Sequence, residues 1–272
     1  MRGSTDAASA SVEPRTVEVG GRSIRYLETG AANEGLPIIL IHGFGGDLNN
    51  WLFVQPTLSE RHRVIALDLP GHGGSTKDVG PGDLATLSAA VSDFMETIGT
   101  TKSHLVGHSL GGAVVLRSTL DHPALAASLT LICSAGLGEE IDAAFISDFI
   151  AASRRKQLEP VLAKLFTDPG LLSRDMIEDI LRSKRMDGAR EALAAIRASN
   201  FEGQQREVLR ARLGEIDIPV QVIWGAEDQI IPVRQVEGLP GAVRTHVLAK
   251  TGHMPHVERA SEVSGLLLDF VD

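Results

Sequence analysis

Gly107-His108-Ser109-Leu110-Gly111 follows the apolar run His104-Leu105-Val106 and opens a segment, Leu110 to Leu120, whose apolar residues recur at helical spacing. A G-x-S-x-G set between strand and helix has a mechanical meaning. A serine on so sharp a turn takes a strained backbone conformation, and glycines two residues to either side remove the side chains that would clash with strand and helix. Gly112 extends that relief. The turn lifts the hydroxyl above the sheet at the positive end of a helix, which favours an anionic intermediate. The plainer reading of Ser109 is a turn serine that caps a helix.

Similar strands recur on both sides of this turn. Pro37-Ile38-Ile39-Leu40-Ile41, Val64-Ile65-Ala66-Leu67, Leu129-Thr130-Leu131-Ile132, Val220-Gln221-Val222-Ile223-Trp224 and Thr245-His246-Val247-Leu248 are short and mostly apolar, as expected of buried strands. Helix-like segments separate most of them, including Leu84 to Ile98, and another, Ala260 to Phe270, closes the chain. Strands alternating with helices predict an α/β fold built on a mostly parallel, doubly wound sheet. Thr16 to Leu27 alternates polar and apolar around Gly20-Gly21 and reads as a hairpin at a sheet edge. From Leu137 to Leu213 the spacing is amphipathic and helical, with no convincing buried strand. The expected division is a core of residues 16–136 and 214–272, a helical cap of residues 137–213 over the strand ends, and a disordered tail or linker remnant at 1–15.

A serine hydroxyl is a poor nucleophile near neutral pH, so a base must take its proton and a third group must orient that base. Asp228 lies just past the strand Val220 to Trp224, where a carboxylate can point into a site at the strand ends; Glu227 is its rival. His253 follows the last expected strand, after Gly252, with His256 as the competitor. His62, His122 and His246 have no partner motif, and His72 sits in a glycine-rich loop read as structural. The oxyanion of an acyl-transfer intermediate needs donors already in place, and backbone N–H groups supply them. Leu110 N–H is one candidate and Phe44 N–H, in His42-Gly43-Phe44-Gly45-Gly46, is the other. His42 and His108 are candidates to flank the substrate.

The composition narrows the classes. At 272 residues and 43% apolar content the chain suits one large core with an insertion, and a net charge of -9 argues against a nucleic-acid surface. Cys133 is the only cysteine, which excludes an intrachain disulfide, and it reads as a core thiol. No run approaches the roughly 18 apolar residues of a membrane span, and the start has no secretory-signal centre, so the cytoplasm is the default location. No metal-ligand spacing and no phosphate-loop pattern is present, so neither a metal nor a cofactor is expected.

Taken in order, His42-Gly43-Phe44-Gly45, Asp68-Leu69-Pro70-Gly71-His72-Gly73-Gly74-Ser75, Gly107-His108-Ser109-Leu110-Gly111, and Asp228 with His253 resemble the α/β-hydrolase superfamily from Val17 to the C-terminus. More narrowly, Ile41-His42-Gly43-Phe44-Gly45-Gly46-Asp47-Leu48-Asn49-Asn50-Trp51 resembles the hydrolase-like domain of acetoin dehydrogenase complex acetyltransferase subunits, as do Ser153-Arg154-Arg155 and Lys184-Arg185-Met186-Asp187-Gly188. In that family the domain follows a lipoyl domain and linker, and the Ala/Ser-rich start here suits a cut within such a linker. The chain has neither an Asp-Lys-Ala lipoylation site nor a His-x-x-x-Asp-Gly acyltransferase motif.

The expected chemistry is hydrolysis of a small-molecule carboxylic ester or thioester through an acyl-enzyme on Ser109. Carbon–carbon bond hydrolysis, lactone hydrolysis and acyl transfer use the same triad and stay open. So does a non-catalytic scaffold or binding role in an acetoin dehydrogenase-type multienzyme complex, or as a homo-oligomer. Phe145, Phe149, Leu158, Leu162, Phe166 and Leu171 either line an acyl pocket or form the cap's own core. Arg154-Arg155-Lys156 and Arg182-Ser183-Lys184-Arg185 either attract an anion or are solvated helix faces.

Overall fold

Ile38–Ile41 (β3) is buried at every position, and its side chains divide between the two faces of the sheet: Ile39 and Ile41 enter one apolar layer, Ile38 and Leu40 the other. The computed structural model describes residues 13–272. The tail expected at residues 1–15 falls outside the described residues as far as position 12.

Around β3 lie Arg15–Val19 (β1), Arg22–Thr29 (β2), Val64–Leu67 (β4), Ser103–His108 (β5), Ala126–Ile132 (β6), Val220–Gly225 (β7) and Arg244–Leu248 (β8). They form one eight-stranded sheet in the order β1-β2-β4-β3-β5-β6-β7-β8. From β4 to β8 all neighbours are parallel; β2 runs antiparallel to β1, as the Gly20-Gly21 hairpin requires, and antiparallel to β4 as well. The helices are Gln55–Ser59 (α1), Leu84–Thr97 (α2), Leu110–Asp121 (α3), Ala143–Ala151 (α4), Arg155–Ala163 (α5), Arg174–Lys184 (α6), Ala189–Asn200 (α7), Pro255–Glu258 (α8) and Ala260–Val271 (α9). α2 packs beside α3 and α1 beside α9. Val91, Phe94, Val114 and Val115 enter the Ile39/Ile41 layer, while Leu58, Val263 and Leu267 enter the Ile38/Leu40 layer, so the sheet is covered on both sides. Burying each such side chain contributes roughly 1.5–3 kcal/mol.

The connection from β3 goes to β4 on one side and the chain then returns to β5 on the other, with Ile41 paired to Gly107 across the gap. Such a reversal leaves a crevice at the carboxyl ends of the two strands. Helices α4 to α7 occupy the stretch between β6 and β7, where Asp142 and Ser173 cap α4 and α6 by accepting from Phe145 N–H and Met176 N–H. Among the described residues no helix is long and apolar enough to cross a membrane.

Candidate active site

Ser109 stands where β5 ends and α3 begins, at φ 52° and ψ -118°, a backbone region that favours glycine and costs about 1–3 kcal/mol for other residues. Hydrogen bonds hold it there. Its N–H donates to Ile132 O (3.0 Å), and its carbonyl accepts from Gly112 N–H and Ala135 N–H (both 3.0 Å). The flanking glycines are required by close approach: a Cβ on Gly107 would lie 2.3 Å from Gly111 O, and one on Gly111 would lie 2.4 Å from both Ile41 O and His42 O. The turn therefore brings the first turn of α3 against the end of β3, and the Ser109 side chain lines a cavity of about 60 Å3.

His253, on the loop after β8, lines the same cavity. Its Nδ1 lies 2.8 Å from Asp228 Oδ2, and both side chains are almost wholly excluded from solvent. Asp228 is itself fixed from the other oxygen, Oδ1 accepting from Ile230 N–H (2.8 Å) and Ile231 N–H (3.0 Å). Glu227 is exposed, its N–H spent on Thr251 O. With Nδ1–H donated to the carboxylate, the imidazole keeps Nε2 as an acceptor.

His108 Nε2 lies 2.8 Å from the carbonyl of His253 and, because a carbonyl only accepts, must carry the proton. His108 thus ties the turn after β5 to the loop that carries His253. His256 lies behind it, stacked between His108 (4.6 Å) and Trp51 (4.7 Å), fully buried and with no hydrogen-bond partner on either nitrogen among the described residues. Burial, with a smaller effect of His253, lowers its pKa to about 3. Burial first, then His256 and His253, holds His108 well below the ordinary histidine range. Both rings are therefore neutral near pH 7.

Phe44 and Leu110 bracket the serine from the loop after β3 and the start of α3. Among the described residues neither backbone N–H donates to a backbone carbonyl. Phe44, His108, Phe145 and Phe149 line the cavity. His42 and Phe166 do not: His42 is buried behind it, accepting from Leu69 N–H at Nε2 (3.0 Å) and donating from Nδ1 to Gly43 O (2.7 Å), and Phe166 packs away from the lining. Leu162 reaches the cavity, Leu158 is core, and Leu171 is 42% exposed. Asn50, Phe201, Ile230 and Met254 also line it; they carry no sequence signal of their own, because they converge only through tertiary packing.

Two further residues take roles that the sequence does not announce. Asp68 is a buried bracket, its Oδ1 accepting from Leu48 N–H (2.7 Å) and its Oδ2 from Gly74 N–H (2.7 Å) and the Arg25 guanidinium (3.3 Å), which locks the glycine-rich loop. Lys184, from a basic run read as anion-attracting or solvated, is buried: its ammonium donates to the carbonyls of Phe149 and Ala152 and lies 4.6 Å from the centre of the Phe149 ring. Burial lowers its pKa to about 8. It ties α6 to the end of α4, the helix that supplies two phenylalanines to the cavity.

One group of potential metal ligands occurs among the described residues: Cys133, Asp228 and His253, with ligand atoms within 4.8 Å of one another. The set is a poor fit. Burial, then the charge of Asp228, pushes the Cys133 thiol well up, so it is not a thiolate, and the Asp228 oxygens are engaged by two amides and an imidazole.

The family profile described as the alpha/beta hydrolase fold matches residues 37–260. The chain is 46% identical over 259 residues to the dihydrolipoyllysine-residue acetyltransferase component of the acetoin cleaving system of Pseudomonas putida, covering 95% of this chain and 69% of that protein. The corresponding component of Cupriavidus necator is 40% identical over 266 residues, covering 97% and 70%. Among solved structures, a membrane phospholipase A described as a bacterial virulence factor superposes with a TM-score of 0.81 at 29% identity, covering 96% of this chain and 86% of that one.

Proposed function

The chain belongs to the α/β-hydrolase fold family, and from that premise we propose that it is a serine hydrolase that cleaves a carboxylic ester or thioester through an acyl-enzyme on Ser109. The observation that carries this reading is the buried Asp228–His253 pair opening on the cavity that Ser109 lines.

In this mechanism His253 Nε2 takes the Ser109 proton as the oxygen attacks the acyl carbon, and Asp228 stabilises the imidazolium that forms. The Phe44 and Leu110 amides hold the oxyanion. The imidazolium then gives its proton to the departing alcohol or thiol, and His253 next activates a water that releases the acid. Residues 137–213 act as the cap, presenting Phe145, Phe149 and Leu162 to the acyl group. Among the described residues the cavity lining carries no lysine or arginine, which favours an uncharged acyl group.

A chain-length series of p-nitrophenyl esters, turned over by wild type and Ser109→Ala, tests the proposal. The expected result is turnover that falls by several orders of magnitude in the variant. Equal and negligible rates in a folded wild type would remove simple esterase activity, and product analysis would separate hydrolysis from acyl transfer, lactone opening and carbon–carbon cleavage. The similarity to acetoin-system components favours a second reading, a module that works within a multienzyme assembly. Mixing with the other components of such a system and following the sedimentation coefficient tests it.

A further inference from the structure

We propose that the groove beside the catalytic cavity, between residues 49–53 and α6, is the leaving-group subsite, and that it takes an uncharged apolar alcohol or thiol chain. The inference rests on the serine-hydrolase reading and adds to it the chemistry of the departing half of the substrate.

The groove has a volume of about 280 Å3 and adjoins the catalytic cavity, the two sharing Gly45, Gly46, Asn50 and Ile180 in their linings. The catalytic cavity itself is small. Its roughly 60 Å3 is about a fifth of the groove's volume, so the groove offers the larger share of the room for a substrate.

The direction of proton transfer decides which half. His253 must hand its proton to the leaving atom, so that group departs on the side of the segment carrying the imidazole. That segment runs from His253 into α8, and Val257, on α8, lines the groove but not the catalytic cavity. Phe145 and Phe201 line the cavity but not the groove, are buried and apolar, and suit the acyl group.

The lining sets the chemical class. Leu52 and Phe53, at 52% and 55% exposure, stand at the groove with Met176, Ile180 and Val257, an apolar surface that water gains nothing by covering. Among the described residues, Asp47 and Asp179 are the only charged ones in the lining; Arg182, which bonds Asp179 at 2.8 Å, stands outside it. An anionic chain would face two carboxylates, whereas a neutral one would gain roughly fourfold in affinity for each methylene buried.

The test compares kcat/KM for ethyl acetate, hexyl acetate and 6-acetoxyhexanoate in wild type, Ser183→Trp, which fills the groove from α6, and Phe53→Glu, which adds a third carboxylate at an exposed position. Calorimetry of hexyl acetate binding to Ser109→Ala, with and without Ser183→Trp, runs beside it. The expected result is a hexyl-to-ethyl ratio of at least about ten that both groove variants lower at least tenfold, no gain for the carboxylate-tailed ester, and hexyl acetate binding abolished by Ser183→Trp. A flat series, an unchanged ratio in the variants, or equal preference for the anionic ester overturns the proposal. If no Ser109-dependent turnover exists, the hydrolase reading fails and the leaving-group assignment with it, whatever the calorimetry shows; where turnover exists, hexyl acetate binding that is absent or that Ser183→Trp leaves unchanged overturns the groove alone.

Discussion

Acid should unfold this protein in part through His256. The ring is fully buried against Trp51 and His108 with neither nitrogen hydrogen-bonded among the described residues, and its pKa drops from 6.5 to about 3. Because the folded-state value lies below the unfolded one, the unfolded chain binds the extra proton between pH 6.5 and 3, and stability falls as the pH falls through that window. The whole gap corresponds to roughly 5 kcal/mol, and at pH 5 about 2 kcal/mol of it is already lost. That is a large part of a typical domain stability of about 5–15 kcal/mol. Replacing the ring by an apolar side chain of similar size removes the titration without orphaning a partner, since no hydrogen bond is broken. Urea denaturation of wild type and His256→Leu at pH 7 and pH 5 measures the difference. The variant should lose about 2 kcal/mol less than wild type between the two values, keeping the dependence due to His42, His72 and His108, whose pKa values burial also lowers. Identical pH dependence in the two proteins would refute the reasoning.

Asp228→Asn should leave the fold intact by circular dichroism but lower kcat on an activated ester by about 10³–10⁴-fold, because the imidazole loses the carboxylate that fixes its tautomer; a loss under tenfold would contradict that role. Gly225→Ala should fail to fold or lose several kcal/mol in denaturant titration, since the added Cβ would lie 1.9 Å from Gly252 O, and a wild-type melting temperature would contradict the packing described. Phe149→Ala should cost about 3–5 kcal/mol and move the acyl preference towards longer chains, its ring being both buried core and cavity wall; an unchanged acyl-length profile would place the acyl group elsewhere.

The central strands were legible because each is a short apolar run next to a turn: Ile38–Ile41 and Val64–Leu67 are buried at every position, and both glycine signals, at Gly20-Gly21 and Gly107 to Gly111, mark true reversals of the chain, whereas Thr245 to Leu248, expected to be buried, forms the edge strand β8 and buries only Leu248. The sheet order was less accessible, since the return from β4 across β3 to β5 leaves no local mark. The Ser109 turn is a local feature and shows in five residues. The choice between Asp228 and Glu227 is not, because adjacent carboxylates differ only in which one the loop after β7 turns inward. His42 and Phe166 resemble their neighbours in type yet stand off the cavity for the same reason, and Lys184 is hidden inside a charged run because only the docking of α6 on α4 brings carbonyls to its ammonium.

The most direct test of the central claim is intact-protein and peptide mass spectrometry of enzyme quenched with acid during turnover of an activated acetate ester. The account predicts a single added acetyl group, located on Ser109, that decays with time and persists longer in a variant lacking the His253 imidazole if acylation is forced with excess ester. Turnover with no adduct on Ser109, or with undiminished rate in Ser109→Ala, would contradict it.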